Sequence, residues 1–401
     1  MNISEVRGLL RLRMPDPDGV RRRLDACVTV DDLRRLARRR LPRSVFDYVD
    51  GGADEEITLR GNVAAFRRWR FRPSVLVDVA SADLRTSLLG APAAAPLGFA
   101  PTGYTRMVSP IGEPAVAAAA ARYGIPYVLS TMATTSLESL ARGPGGAADR
   151  WFQLYVWKDR SLTEAMVGRA AESGYRVLEI AVDTPVSGYR TRDVRNGFTI
   201  PPSVAFGALL DIGMHPGYWR RMLGAPALAF ANVGGSGGSI ASITDQFDPS
   251  VSWPELSRIR ELWPGELVLK GPIGPEDAAR AVSLGVDGVH LSNHGGRQLD
   301  RTIAPVDLVA PVRAAIGDTP AILVDSGVRH GADIATAVAL GADAAFVGRA
   351  YLYGLAAGGH EGVLKAAALL TTQLRRTMQL LGVTSIGELR SAGPDLLASA
   401  R

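Results

Sequence analysis

The run SNHGGRQLD at 292–300 sets an imidazole, His294, just ahead of two glycines and a guanidinium, Arg297. An isolated histidine is more often structural, but one that directly follows an apolar run and precedes Gly-Gly-Arg is placed for proton transfer. Other polar residues stand in the same kind of place, just after a short apolar run. They include Thr102 with Gly103, Ser130 with Thr131, Gln153 with Tyr155, and then Asp183 and Lys270. Asp325 with Arg329 and Gly348 with Arg349 complete the set, and few of these suit core packing. An imidazole base, two arginines able to hold a carboxylate in a bidentate fork, and tyrosine hydroxyls suit a small hydroxy acid whose α-proton or hydroxyl proton must leave. The segments DSGVRHG at 325–331 and VGRA at 347–350 offer helix-start N–H groups and two arginines, as a phosphate requires. No side chain can accept the electrons of an oxidation, so this chemistry implies a phosphorylated redox cofactor.

Such scattered residues converge if the apolar runs are strands of one barrel, whose working groups come from the carboxyl ends of the strands. The runs are APLGFAP at 95, IPYVLST at 125, RWFQLYV at 150, VLEIAVDT at 177, ELVLKG at 266, GVHLSN at 288, AILVDS at 321 and AAFVG at 344. They are continuous, as parallel strands covered on both faces require, and alternate with alanine-rich helical stretches such as EPAVAAAAARYG and GADIATAVALG. The expectation is an α/β fold, a (β/α)8 TIM barrel over 95–401 with C-terminal helices, preceded by a helical cap segment at 1–94. A doubly wound sheet would normally show G-x-G-x-x-G after its first strand, and none follows 95–101. The stretch 190–262, between the fourth and fifth strands, reads as an active-site loop insertion, and its GGSGGS tract at 234–239 as a flexible segment.

With 401 residues, 47% hydrophobic and 21% charged, the chain can bury a large core. One cysteine, Cys27, excludes an internal disulfide and any multi-cysteine metal or iron–sulfur site, and no metal-ligating set stands out. A cytoplasmic location fits, since no window approaches the ~18 apolar residues of a membrane span and MNISEVRGLLRLR lacks a signal peptide's apolar core. Of 45 basic residues only Lys158, Lys270 and Lys365 are lysines. Residues 1–43 hold 12 arginines against six acids and carry +6 of the net +5, leaving the rest at −1. No basic stripe interleaved with aromatics follows, so nucleic acid is not an expected partner. The N-terminal charge reads as an arginine-rich amphipathic helix, with contact to an anionic membrane face as the alternative.

The motifs resemble those of the FMN-dependent α-hydroxy-acid oxidases and dehydrogenases, which include glycolate oxidase, L-lactate dehydrogenase and mandelate dehydrogenase. Beside SNHGGRQLD, the segments PRSVFDYVDGGADEE, APTG, WFQLYVWKDR, VDTP, RDVRNGF, LVLKG, DSGVR and VGRAYLYG follow in the family's order from about Leu41 onward. The chain looks most like the bacterial L-lactate dehydrogenase branch. The resemblance implies FMN as cofactor, with His294 as base and Asp183 supporting it. It gives the substrate carboxylate to Arg297 and Arg190, and hydrogen bonds from Tyr48 and Tyr155. It sets Lys270 at the flavin N1–C2 edge, Gln153 and Ser130 at its polar edge, and Pro101, Thr102 and Gly103 along the ring. Asp325 would bind the ribityl chain, and Ser326, Gly327, Arg329, Gly348 and Arg349 would surround the phosphate. A homotetramer or larger assembly is implied, as is oxygen or a quinone as electron acceptor.

Three positions depart from the pattern: Ala181 replaces a threonine, Met132 stands where glycolate oxidase has tryptophan, and Gly103 replaces an alanine. Met132 leaves the substrate pocket's shape loosely defined. A lactate-like L-2-hydroxy acid is therefore the first expectation, with a larger aryl or carrier- or peptide-bound substrate as the second. A low-turnover flavin-binding surface protein is the third. His215, His290, His330 and His360 lack a comparable constellation and read as structural.

Overall fold

The computed structural model describes residues 17–197, 213–233 and 247–399. Eight parallel strands close into a barrel: β1 (Leu97–Phe99), β2 (Tyr127–Ser130), β3 (Arg150–Leu154), β4 (Val177–Ala181), β5 (Glu266–Gly271), β6 (Gly288–Leu291), β7 (Ala321–Val324) and β8 (Ala344–Val347). Each falls inside one of the eight apolar runs. The ring closes where β8 pairs with β1, Val347 opposite Phe99. Helices follow the strands, among them Gly112–Tyr123 after β1, Arg160–Glu172 after β3 and Gly331–Ala339 after β7. The chain after β8 is helical over Arg349–Leu381, interrupted at Gly358–Gly359 where the backbone leaves helical angles.

The lower interior of the barrel is apolar. Val128, Trp151, Val177, Val268, Leu323 and Phe346 pack into one cluster. Trp151 and Phe346 lie 5.3 Å apart. Gly98 makes room for them, since a Cβ there would lie 2.3 Å from the Phe346 ring. A short antiparallel hairpin, Thr86–Leu88 with Ala91–Ala93, adds Leu88 and Ala93 to this cluster and stops the barrel's amino-terminal end. Sequence periodicity gave no hint of it, because three-residue strands are too short to show a period.

Before the barrel come α1 (Gly19–Asp25), α2 (Val30–Arg40), α3 (Arg43–Asp50) and α4 (Ile57–Arg67). Helix α2 starts on a Thr29–Asp32 capping box and buries Val30, Leu33 and Ala37. Its arginines divide their work. Arg34 grips Asp50 through two hydrogen bonds of 2.6 and 2.8 Å, and Arg40 donates to the Ala356 carbonyl. The amphipathic-helix reading of this segment holds for the described residues. The loop between β4 and β5 contains helices Thr191–Arg195, Pro216–Leu223 and Trp253–Leu262. The GGSGGS tract at 234–239 lies outside the described residues, as do residues 198–212.

Candidate active site

The loop after β6 carries the base candidate, and its backbone explains the glycines. His294, Gly295 and Gly296 take positive φ angles of 58°, 66° and 73° in succession. A Cβ on Gly295 would lie 2.3 Å from an Arg349 nitrogen, and one on Gly296 2.6 Å from the Leu59 amide. Only glycine tolerates both the left-handed angle and the crowding. The turn is pinned by Ser292, whose Oγ accepts from the His294 amide at 3.1 Å, and by Asn293, which exchanges two side-chain hydrogen bonds with Asn62 on α4.

So held, the His294 ring is poised between two partners. Nδ1 is 3.0 Å from Asp183 Oδ2, and Nε2 is 3.5 Å from the Tyr155 hydroxyl. Asp183 is buried behind the ring, and its backbone carbonyl accepts from Gln298 Nε2 at 2.9 Å. Burial, reinforced by the charge of Asp183, pushes the Tyr155 hydroxyl far above its ordinary pKa, so it remains a donor across the working range. The Tyr155 ring stacks on Phe247 at 4.6 Å.

Beside this pair, two guanidiniums flank the Tyr48 ring, Arg297 at 5.0 Å and Arg190 at 5.9 Å. Arg297 donates to the Tyr48 carbonyl at 2.5 Å and the Gly51 carbonyl at 3.1 Å, which anchors it to the end of α3. Burial, and then the like charge of Arg190, press Arg297 below the ordinary arginine range. Arg190 Nε is buried without a partner. Two close guanidiniums with unspent donors form a site for an anion. Asp193, in the helix just after Arg190, also lines this corner, and burial lifts its carboxyl above the ordinary range despite Arg297 and Arg190 nearby. Sequence reading missed Asp193, although it lies inside the RDVRNGF segment.

The floor of the site is polar. Ser130 Oγ donates to Gln153 Oε1 at 2.8 Å, leaving Gln153 Nε2 buried with no partner. Lys270 Nζ is 2.8 Å from Asp325 Oδ2, while Asp325 Oδ1 accepts from Ser326 at 2.7 Å. At the far wall, Gly327 has φ 104° and lies where a Cβ would come within 2.4 Å of the Asn62 carbonyl. Arg349 opens the helix that follows β8 and donates to the carbonyls of Val49, Gly295 and Gly51. Arg329 donates to the Val328 carbonyl.

A single cavity of about 620 Å³ joins these parts. Asp183 stands behind His294. Thr131 is turned away, its hydroxyl donating to the Gln153 carbonyl, and every residue that the family resemblance assigns to the site apart from Asp183 lines the cavity, from Tyr48, Pro101, Thr102 and Gly103 to Met132 and the glycines Gly327 and Gly348. The volume and the donors fit a planar, acceptor-edged ring with a phosphorylated tail beside a small acid. Gln153, with its orphaned amide, and the buried Lys270 line the cavity, as do Arg329 and Arg349, the latter at the N-terminus of the helix after β8, whereas the amides that open Gly331–Ala339 are taken by His330, Asp333 and Gln373. Tyr104, Met132, Phe230 and Phe247 give one wall an apolar surface.

Residues 37–395 match the model of the FMN-dependent dehydrogenase family. A Mycobacterium tuberculosis protein (strain ATCC 25618 / H37Rv) carrying the name "Putative L-lactate dehydrogenase" is 46% identical over 389 residues, 96% of this chain and 94% of the other. The (S)-mandelate dehydrogenase of Pseudomonas putida is 43% identical over 373 residues, 92% of this chain and 93% of the other. A crystal structure of a monotopic membrane protein, (S)-mandelate dehydrogenase, superposes with a TM-score of 0.89 at 41% identity, covering 93% of this chain and all of that one.

Proposed function

The chain belongs to the FMN-dependent dehydrogenase family, and from that membership we propose that it oxidises a lactate-like L-2-hydroxy acid to the 2-oxo acid. It is an FMN-dependent α-hydroxy-acid dehydrogenase or oxidase. The observation that carries the substrate reading is the His294–Asp183 pair facing two adjacent guanidiniums and a tyrosine hydroxyl in one cavity.

Arg297 and Arg190 bind the substrate carboxylate, which relieves their mutual repulsion. Tyr155 and Tyr48 donate hydrogen bonds to the substrate's oxygens. With Nδ1 committed to Asp183, Nε2 is the nitrogen that receives the substrate proton, and the carboxylate stabilises the imidazolium that forms. Lys270 would stand at the flavin N1–C2 edge, and Gln153 Nε2 would donate to the ring's acceptor edge. Pro101, Thr102 and Gly103 would run along the ring, Asp325 would bind the ribityl chain, and Ser326, Gly327, Arg329, Gly348 and Arg349 would surround the phosphate. When bound, FMN takes up the two electrons released from the substrate's α-carbon.

The expected result is a yellow protein that bleaches anaerobically with L-lactate. If no 2-hydroxy acid in a broad panel bleaches it, the reading fails. A second reading, an aryl or carrier- or peptide-bound substrate, is favoured by the wall of Tyr104, Met132, Phe230 and Phe247. A kcat/KM for (S)-mandelate well above that for L-lactate would select it.

Among the described residues no helix is long and apolar enough to cross a membrane. A peripheral contact is proposed instead. Helix Pro216–Leu223 buries Tyr218, while Leu223 at one end and the preceding Met214 are 84% and 72% exposed. Arg220 and Arg221, in the last turn of the same helix, set two basic residues close to Leu223. We therefore assign the reoxidant to a quinone in an anionic bilayer, with oxygen as the alternative. Vesicles of phosphatidylglycerol containing ubiquinone should sediment the enzyme and reoxidise it faster than air does. Loss of sedimentation in R220E/R221E would agree, and wild-type enzyme left in the supernatant would remove the membrane from the reading.

A further inference from the structure

A second acid–histidine pair lies beneath the first. His294 and Asp183 are 111 residues apart, and so are His290 and Glu179, four residues earlier on the same two segments. Whereas the upper pair faces the cavity, the lower one is sealed inside the barrel. His290 Nδ1 lies 2.7 Å from Glu179 Oε2, and both side chains are wholly buried. Phe346 underlies the His290 ring at 5.0 Å. On the other side, His290 Nε2 approaches Asp325 Oδ2 at 3.4 Å, the same oxygen that receives Lys270 Nζ at 2.8 Å. The four groups thus form a chain, Glu179 to His290 to Asp325 to Lys270, contributed by β4, β6, the end of β7 and β5.

Barrel interiors are usually filled by branched apolar residues, and a buried ion pair is often no more stabilising than apolar side chains of equal volume. Stability alone therefore does not account for Glu179 and His290. The imidazole's effect falls on Asp325, while the charge of Glu179 reaches Lys270 as well. Paired with Lys270 alone, the Asp325 carboxylate would cancel most of the lysine's field. Set between Lys270 and an imidazole whose charged form is favoured, against its burial, by Glu179 and by Asp325 itself, it is shared between them. Among the described residues the charges that act most on His290 are those of Glu179, Lys270 and Asp325, and Phe346 on β8 beside it is apolar.

We infer that Glu179 and His290 are positioning residues that free part of the Lys270 charge for the cavity, and thereby raise the flavin's preference for its anionic reduced form. This rests on the placement of Lys270 along the flavin N1–C2 edge proposed above. Neither residue touches the cavity in which substrate and cofactor bind, so both act through Asp325 and Lys270.

The test uses the holoenzyme of the wild type, of Glu179→Leu/His290→Leu, which removes both partners and leaves no unpaired charge, and of Lys270→Met. Two quantities are read: sulfite affinity, from the flavin absorbance, and the midpoint potential of the bound flavin. The double variant should bind sulfite about tenfold more weakly, with a potential lower by about 30 mV, the two-electron equivalent of tenfold. If Lys270→Met lowers both quantities and the double variant lowers neither, the inference is overturned and the lysine's placement stands. If neither variant changes them, the placement falls and the inference with it. Should the double variant fail to fold, Glu179→Gln preserves the shape and is expected to move both quantities in the same direction by about threefold, because His290 then loses the carboxylate that holds its proton. An unchanged potential in that variant would also overturn the inference.

Discussion

Replacing His294 by alanine is expected to slow anaerobic flavin reduction by about 10³- to 10⁴-fold at saturating substrate, the usual worth of a positioned base, while FMN remains bound. The expectation follows from the ring's two commitments. Nδ1 belongs to Asp183, and Nε2 opens toward the cavity with Tyr155 beside it. No other described histidine lines that cavity. His294 also occupies a left-handed position, where alanine is strained but fits, so the loop should persist. Stopped-flow absorbance of the oxidised flavin measures the rate, and the visible spectrum before mixing reports cofactor content. A variant that reduces its flavin within tenfold of wild type would remove His294 from the role of base. Asp183→Asn should fall between the two, since it keeps the ring's neighbour but not the charge that stabilises the imidazolium.

The second large effect is expected at Arg297. Replacement by methionine should lower kcat/KM for a 2-hydroxy acid by about 10²- to 10³-fold, in line with the roughly 3–4 kcal/mol lost when a buried charged partner is truncated. Arg297→Lys should recover little. A lysine cannot present a planar fork to a carboxylate while also donating to the Tyr48 and Gly51 carbonyls. The decisive measurement is substrate form. The methyl ester or amide of the same acid should be used equally badly by wild type and variant. If the variant still prefers the free acid by the wild-type factor, Arg297 does not bind the carboxylate.

Much of the barrel could be read from the sequence because strands buried on both faces lose their alternation and become continuous apolar words. Apart from β5, which fills ELVLKG, the strands proved shorter than those words: VLEIAVDT holds a strand only over Val177–Ala181, and the polar letters that follow are already loop. That is why strand ends located the site. His294 was legible through its glycines, which only a left-handed turn under close backbone needs. His290 was not. It lies inside a strand, where pleat decides whether a side chain faces the barrel axis or the helices, and its partners lie on other strands. A polar letter in an apolar word looks the same whether it is solvated, paired or charged. Asp193 escaped for a similar reason, since a carboxylate beside arginines in a loop is usually a surface pair.

Besides its own local bonds, the turn that carries His294 is tied to distant parts of the chain. Asn293 pairs with Asn62 across 231 residues, Asp300 accepts the Thr58 amide across 242, and Arg349 reaches the Val49 carbonyl across 300. During synthesis, which proceeds from the amino terminus, the helices that brace the base emerge early and must wait for nearly the whole barrel before their partners exist. Competence therefore arrives late and all at once. A ribosome-bound fragment ending before residue 349 carries the base, its acid and both arginines of the anion site, yet lacks the guanidinium that ties the Gly295 carbonyl to those of Val49 and Gly51.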